Sequence, residues 1–416
     1  MRLMAPLLLL AACSGKIIEP DSVSPEVHVA NQIPPTTTSP DVTTGSINMT
    51  GLMLQQQLFT DPTRNEVFSP ASISVAFAML AAGAEGQTAD QLYTFLNERP
   101  ETAHVNLGGM VKTWNDPGNE APLTLAVANR IWLGNTVSVR DSYLALTRDQ
   151  YGTEATTLDF VSAPEVSRET INSWVEENTN DRIQDLLPQG SVSTATRMVL
   201  TNAVYFKADW AVAFDAARTE DKPFLTASDQ TVMVPTMHAE RSMEYAETDT
   251  ARMVMVPYMG GTADFIIALP KRASLSDLEA SMTAETIDGW VAAARPSMVN
   301  LDLPKFELNA SYSSLAAALA ALGVTDAFSG RADFSGITDS TDLIVSGAVH
   351  KAFILVDETG TEAAAATGII MRARSVVQPP PPVEFHADQP FWFAVRDRAT
   401  GTLLFTGHVA DPAAEG

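Results

Sequence analysis

Residues 358–375 read Glu358-Thr359-Gly360-Thr361-Glu362-Ala363-Ala364-Ala365-Ala366-Thr367-Gly368-Ile369-Ile370-Met371-Arg372-Ala373-Arg374-Ser375. Four consecutive alanines favour helix by intrinsic propensity. Against helix, Gly360 and Gly368 bracket the run, β-branched residues follow it, and the proline tract Pro379–Pro382 forbids regular structure beyond. Propensity alone leaves the choice open. As a strand, the segment would send successive side chains to opposite faces. Thr361, Ala363, Ala365, Thr367, Ile369 and Met371 would then line one uncharged face, with Glu362 and Arg372 on the other. Such a strand suits burial on one side only.

Outward from this stretch, several short motifs recur in order. They are Phe68-Ser69-Pro70 with Ser72-Ile73 and Ala76-Phe77-Ala78-Met79-Leu80; Thr201-Asn202-Ala203-Val204-Tyr205-Phe206-Lys207 with Trp210 and Phe214; Val256-Pro257-Tyr258; and Leu303-Pro304-Lys305-Phe306. Leu322-Gly323-Val324 with Ala327-Phe328, His350-Lys351-Ala352, and Pro390-Phe391 with Gly407-His408-Val409 complete the series. Together with Glu358–Thr367, which looks like the hinge of a reactive loop, they resemble the serpin family over about residues 46–412.

The resemblance implies an α+β fold with three β-sheets, the largest central, mainly antiparallel and able to admit the reactive loop, here about residues 358–382. Periodicity places elements inside that frame. Ser69-Pro70 reads as a helix start, a hydroxyl cap followed by proline at the first turn. A second helix is expected over Pro164–Leu187, and strands over Leu123–Trp132, Met198–Phe206 and Met253–Pro257, the last returning through Gly260-Gly261 to Phe265–Leu269. Phe391–Val395 and Leu403–Val409 read as a hairpin around Thr400-Gly401.

The chain has 416 residues, 45% of them hydrophobic, enough for a sizeable core. Fifty acidic against 26 basic residues leave a formal charge of −24, which argues against nucleic acid as a partner. Cys13 is the only cysteine, so no internal disulfide exists. Met1-Arg2, the apolar Leu3–Leu10 and Leu10-Ala11-Ala12-Cys13 resemble a bacterial lipoprotein signal peptide, residues 1–12, with lipid attached at Cys13. Residues 13–45 then read as a lipidated cysteine and a flexible Pro/Ser/Thr-rich tether spanning about 30 Å, and 46–412 as the folded domain. An exported protein of the bacterial envelope, anchored in the outer membrane and facing the periplasm or the surface, is expected.

Hydrolase motifs of the GxSxG and HExxH kinds do not occur, and no histidine has a second ligand at metal-binding spacing. His238, His350 and His408 fall in strand contexts, where structural hydrogen bonding is expected. The resemblance implies no cofactor, no metal and no catalytic residue of the chain's own. It implies a suicide substrate: a protease acylates at the reactive bond, and the freed loop inserts and traps the acyl-enzyme. Counted from Gly360, that bond is Arg374-Ser375, with Arg372 the alternative bait. Arginine there suits a trypsin-like serine protease as partner. By the same resemblance Glu358, Gly360, Thr361, Ala363, Ala364, Ala365, Ala366 and Thr367 form the loop hinge. Ser69, Ser72, Asn202 and His350 form a polar cluster beneath the sheet, and Trp210 with Glu358 marks where insertion begins. A monomer is expected. The alternative is a non-inhibitory relative acting as a binding protein or chaperone.

Overall fold

The computed structural model describes residues 40–114, 123–272, 274–340, 342–361 and 381–414. The helices among them are α1 (Pro40–Leu58), α2 (Pro70–Ala81), α3 (Gly86–Leu96), α4 (Pro100–Trp114), α5 (Asp141–Tyr151), α6 (Pro164–Asn178), α7 (Leu275–Ser281), α8 (Ala284–Ala293) and α9 (Ala316–Ala321). The strands are β1 (Glu66–Phe68), β2 (Leu123–Gly134), β3 (Thr156–Leu158), β4 (Met198–Asp209), β5 (Glu220–Leu225), β6 (Thr231–Glu247), β7 (Ala251–Pro257) and β8 (Ala263–Pro270). The series continues with β9 (Arg295–Pro304), β10 (Phe306–Tyr312), β11 (Val345–Val356), β12 (Gly360–Thr361), β13 (Val383–His386), β14 (Phe391–Asp397) and β15 (Leu403–Val409).

Six strands form a sheet in the order β10-β11-β12-β4-β2-β3, in which β11 also pairs directly with β4. The other nine form a second network, β1-β15-β14-β8-β7-β6-β9-β13, with β5 on β6. The long strand β6 pairs with β5 over Thr231–Thr236, with β9 over Thr236–Tyr245 and with β7 over Glu244–Glu247. Hydrogen bonding is therefore continuous where the resemblance implied a second and a third sheet.

The alternation of side chains along β4 explains how the six-stranded sheet is packed. Met198, Leu200, Val204, Phe206 and Ala208 join the main core, whereas Val199, Ala203 and Tyr205 join a separate core with Ile171 and Val175 of α6. Because both faces are covered, the strand reads as a nearly continuous apolar run. Strand β11 alternates in phase, with Ala348, Ala352 and Ile354 in the main core and Val349 and Phe353 under α6. Helix α2 runs through the main core with all of its residues buried, as an uncharged all-round apolar helix must. Ser69 caps it by accepting from Ser72 N at 3.0 Å, and Pro70 occupies its first turn.

Two expectations change. Helix α6 ends at Asn178 instead of continuing to Leu187, because Asn180 and Asp181 adopt left-handed backbone (φ 52° and 57°). The apolar pattern that continues beyond it belongs to Ile183, Leu186 and Leu187, which pack beneath the sheet without helix. Helix α1 begins at Pro40, so residues 40–45 belong to the folded part and not to the tether. Their composition concealed this, since Thr43 and Thr44 are buried through polar side chains and not through an apolar stripe.

Gly407 of β15 tests the packing. A Cβ there would collide with Glu66 O and sit 2.6 Å from the Phe393 ring. Gly407→Ala is expected to cost about 1–3 kcal/mol and to lower the urea midpoint of unfolding; an unchanged midpoint would contradict this packing.

Candidate functional site

The six-stranded sheet forks. Strands β4 and β11 run parallel and pair directly from Met198/Val345 to Tyr205/Phe353. Beyond that point β12 lies between them, antiparallel to both, with Gly360 opposite Asp209 and Thr361 opposite Ala208 and Val356. The chain reverses from β11 into β12 through Asp357, whose Oδ1 accepts from Thr359 N (2.8 Å), Thr359 Oγ1 (2.6 Å) and Gly360 N (3.2 Å). That is the local turn chemistry of an aspartate. Only glycine fits at 360, because a Cβ would strike Ala208 O and come within 2.6 Å of Asp209 Cα. Thr361 is fully buried and shares a 2.6 Å hydrogen bond with the Tyr258 hydroxyl.

Around this wedge the contacts are dense. Trp210 N donates to Thr359 O (2.9 Å), Trp210 Nε1 to Asp357 O (2.8 Å), and Phe214 N to Glu358 O (2.7 Å). The Trp210 ring stacks on Tyr258 with centroids 4.6 Å apart. The Glu358 carboxylate receives Lys305 Nζ and Thr219 Oγ1, each at 2.7 Å. Burial pushes that carboxyl up, but Lys305 and Thr219 outweigh it and hold it below the usual glutamate range.

Below the fork lies a buried polar cluster. Asn202 of β4 and His350 of β11 are register partners, and the His350 Nδ1–Asn202 Oδ1 hydrogen bond crosses the seam between the two strands. Ser69 N donates to His350 Nε2 at 3.2 Å, so Nδ1 carries the proton that goes to Asn202. Asn202 Nδ2 faces Ser72 O and Oγ, both at 2.7 Å, and Asn129 Oδ1 at 2.5 Å. Asn129 Nδ2 donates to Ser72 O at 3.0 Å. Complete burial of His350 pushes its pKa down to about 3, so the imidazole is neutral.

With the fork described, the comparison with known families is direct. The sequence profile described as Serpin (serine protease inhibitor) matches residues 46–412. The chain belongs to the serpin family. It is 37% identical over 350 residues to a serpin-like protein of Thermococcus kodakarensis, covering 84% of this chain and 81% of that one. It is 37% identical over 364 residues to the leukocyte elastase inhibitor of Bos taurus, covering 85% and 94% respectively. Among solved serpin structures, human thyroxine-binding globulin complexed with thyroxine is similar at a TM-score of 0.82 and 29% identity, over 91% of this chain and 100% of that one.

Of the residues singled out from the sequence, Ser69, Ser72, Asn202 and His350 come together under the seam, and Trp210, Glu358, Gly360 and Thr361 come together at the fork. Ala363, Ala364, Ala365, Ala366, Thr367, Arg374, Ser375 and Cys13 lie outside the described residues. Asn129, Thr219, Tyr258, Lys305 and Asp357 also build the site and were not foreseen. Asn129 had a readable signal: an amide inside the apolar run Leu123–Trp132 needs a buried partner, and its register partner on β4 is Asn202.

A pH dependence follows. His350 is held below its ordinary pKa of 6.5 in the folded protein, so the unfolded chain binds one more proton between about 3 and 6.5. Stability supplied by the neutral imidazole is present above that window and lost as pH falls through it. His350→Gln is expected to flatten the acid limb of stability against pH by up to about 1.4 kcal/mol per pH unit. Urea unfolding of both proteins at several pH values checks this, and parallel acid limbs would refute it.

Proposed function

We propose that this serpin is a suicide-substrate inhibitor of trypsin-like serine proteases, cleaved between Arg374 and Ser375. The observation that carries the reading is the seating of Gly360–Thr361 between β4 and β11, antiparallel to both. Continued in the same register, Thr361 opposite Ala208 leads to Met371 opposite Met198, the first residue of β4. Thr361 already faces the main core, so in an inserted strand Ala363, Ala365, Thr367, Ile369 and Met371 would follow it there, all uncharged. Glu362 and Arg372 would turn to the opposite face. The inserted strand would extend about 36 Å at about 3.3 Å per residue.

In this mechanism the protease serine attacks the Arg374 carbonyl, the amine of Ser375 leaves with a proton, and an ester joins the two proteins. The chain needs no catalytic group of its own. Insertion then competes with hydrolysis of that ester. Similarity to leukocyte elastase inhibitors supports protease inhibition, while the preference for trypsin-like enzymes rests on Arg374, with Arg372 as the alternative bait. The second reading is a binding protein, supported by the likeness to thyroxine-binding globulin in its complex. Lipid at Cys13, residence in the bacterial outer membrane and a monomeric state belong to the same proposal.

Mixing the protein with trypsin tests it. A complex that survives denaturation, with a released peptide beginning at Ser375, is expected. Cleavage after Arg374 without a complex would favour the binding-protein reading. Arg374→Ala should abolish trypsin inhibition with the fold intact; retained inhibition would move the bond to Arg372. Ala365→Arg, which brings an unpaired charge to the buried face at a cost of several kcal/mol, should turn the inhibitor into a substrate. A parent yield of complex from that variant would overturn the insertion model.

A further inference from the structure

On the α6 face of β4, Tyr205, Lys207 and Asp209 follow one another toward the open end of the fork. Lys207 is partly buried and lies opposite Thr124 of β2. With Tyr205, Thr124 and residues 180–182, the turn that follows α6, it borders a cavity of about 520 Å³. Arg182 of that turn holds its guanidinium 5.7 Å from the Phe353 ring. Among the described residues no carboxylate pairs with Lys207, and Asp181 borders the cavity without reaching it. A half-covered ammonium without a counter-charge stands out in a chain of 50 acidic and 26 basic residues.

Strand β12 ends one residue short of this lysine. Gly360 lies opposite Asp209 and Thr361 opposite Ala208, so a strand extended by one residue would bring Glu362 opposite Lys207. Alternation would put both side chains on the α6 face. The residues that would follow on that face, Ala364, Ala366, Gly368 and Ile370, would meet Tyr205, Ala203, Thr201 and Val199, none of them charged. Glu362 with Lys207 is therefore the one charged pair available along β4 as far as Val199. The wedge fixes the register up to Thr361, and a run of small side chains specifies it weakly beyond. An opposite-charge pair at the first new position would carry the register onward.

We propose that Lys207 is a positioning residue for loop insertion, whose ammonium receives the Glu362 carboxylate as the first new pair of the inserting strand. The inference rests on the insertion reading above and adds to it a residue that touches neither the protease nor the reactive bond. In a race against hydrolysis of the ester, an early contact counts for more than a late one, because every later pair forms behind it. The cavity beside Lys207 gives the carboxylate room to arrive without displacing another acid.

The test uses the full-length protein and the variants Lys207→Met, Lys207→Glu, Glu362→Lys and the exchange that combines the two reversals. Two quantities are read: the inhibitor consumed per trypsin trapped, and the urea midpoint of protein already cleaved in the loop. Lys207→Met should raise the consumption in excess of one inhibitor per trypsin about threefold, the order of effect of one half-exposed ion pair, with the rate of encounter with trypsin unchanged. Each reversal should raise it further. The exchange should return it to near the parent value, which loss of a merely structural role would not do. Urea midpoints of the cleaved proteins should fall and recover in the same order, whereas uncleaved Lys207→Met should unfold like the uncleaved parent. Additive effects in the exchange, or a cleaved Lys207→Met protein as stable as the cleaved parent, would overturn the pairing. So would an effect confined to Arg182→Met, which would give the role to the other cation of the cavity. Failure of the parent to trap trypsin would sink the inhibitory reading, while the midpoints of the cleaved proteins would still decide whether Lys207 receives Glu362.

Discussion

Two parallel strands that pair along part of their length and are held apart beyond it set the terms for the rest of this structure. Tyr205 and Phe353 are the last direct partners of β4 and β11, and from there Gly360 and Thr361 keep the strands separated. A fork cannot leave backbone donors and acceptors unpaired in a buried sheet. The wedge meets that demand at the open end, and the strands meet it for each other below. Trp210 and Tyr258 stack against the wedge, and the turn at Asp357 lets the chain reverse within three residues.

The distribution of charge follows the distinction between parts that stay and parts that move in the proposed mechanism. The one side-chain hydrogen bond crossing the β4–β11 register at Asn202 joins two neutral groups, an imidazole unable to hold a second proton near neutrality and an amide. Neutral groups can exchange partners at modest cost, about 1 kcal/mol net per hydrogen bond when another partner is at hand. A buried ion pair in that place would leave a stranded charge on opening and cost several times as much. The ion pairs sit instead at the anchors, Lys305 with Glu358 and Lys222 with Asp302, both on or beside the end of β9.

Much of this was legible in the residues. Period-two alternation and the turn residues at Gly260-Gly261 and Thr400-Gly401 located the hairpins, and Ser69-Pro70 located the start of α2, because each of these signals acts locally. Resemblance marked Trp210 with Glu358 as the place where insertion begins but not that Gly360 and Thr361 already lie between β4 and β11, and alternation put Thr361 on the uncharged face that it turns inward. What escaped were features that depend on contacts distant in sequence. Thr43 and Thr44 are buried without an apolar stripe, Thr44 sharing a hydrogen bond with Thr402, so the first residues of α1, 40–45, looked like tether. The apolar residues after Asn178 continued a helical pattern although left-handed backbone had already ended the helix. Lys305 gains its meaning only when the end of β9 lies beside Glu358, a juxtaposition that spacing along the chain does not encode.

Opening the seam also engages the opposite face of the sheet. Val199, Ala203 and Tyr205 of β4 share one core with Val349 and Phe353 of β11, and Ile171 and Val175 of α6 close it. That layer is fastened at β2, where the Arg130 guanidinium lies 5.2 Å from the Trp132 ring and 4.2 Å from Trp174 of α6. Since packed interiors tolerate little gradual deformation, the two strands cannot part by degrees while α6 keeps its seat. Side chains of both strands must first lose their common partners, before the arriving strand returns any hydrogen bonds. In the proposed mechanism the barrier to insertion would therefore lie in repacking under α6 as much as in the polar cluster, and the forked sheet would persist for kinetic reasons. An inserting segment with small side chains lowers that barrier because it asks the displaced layer for the least room.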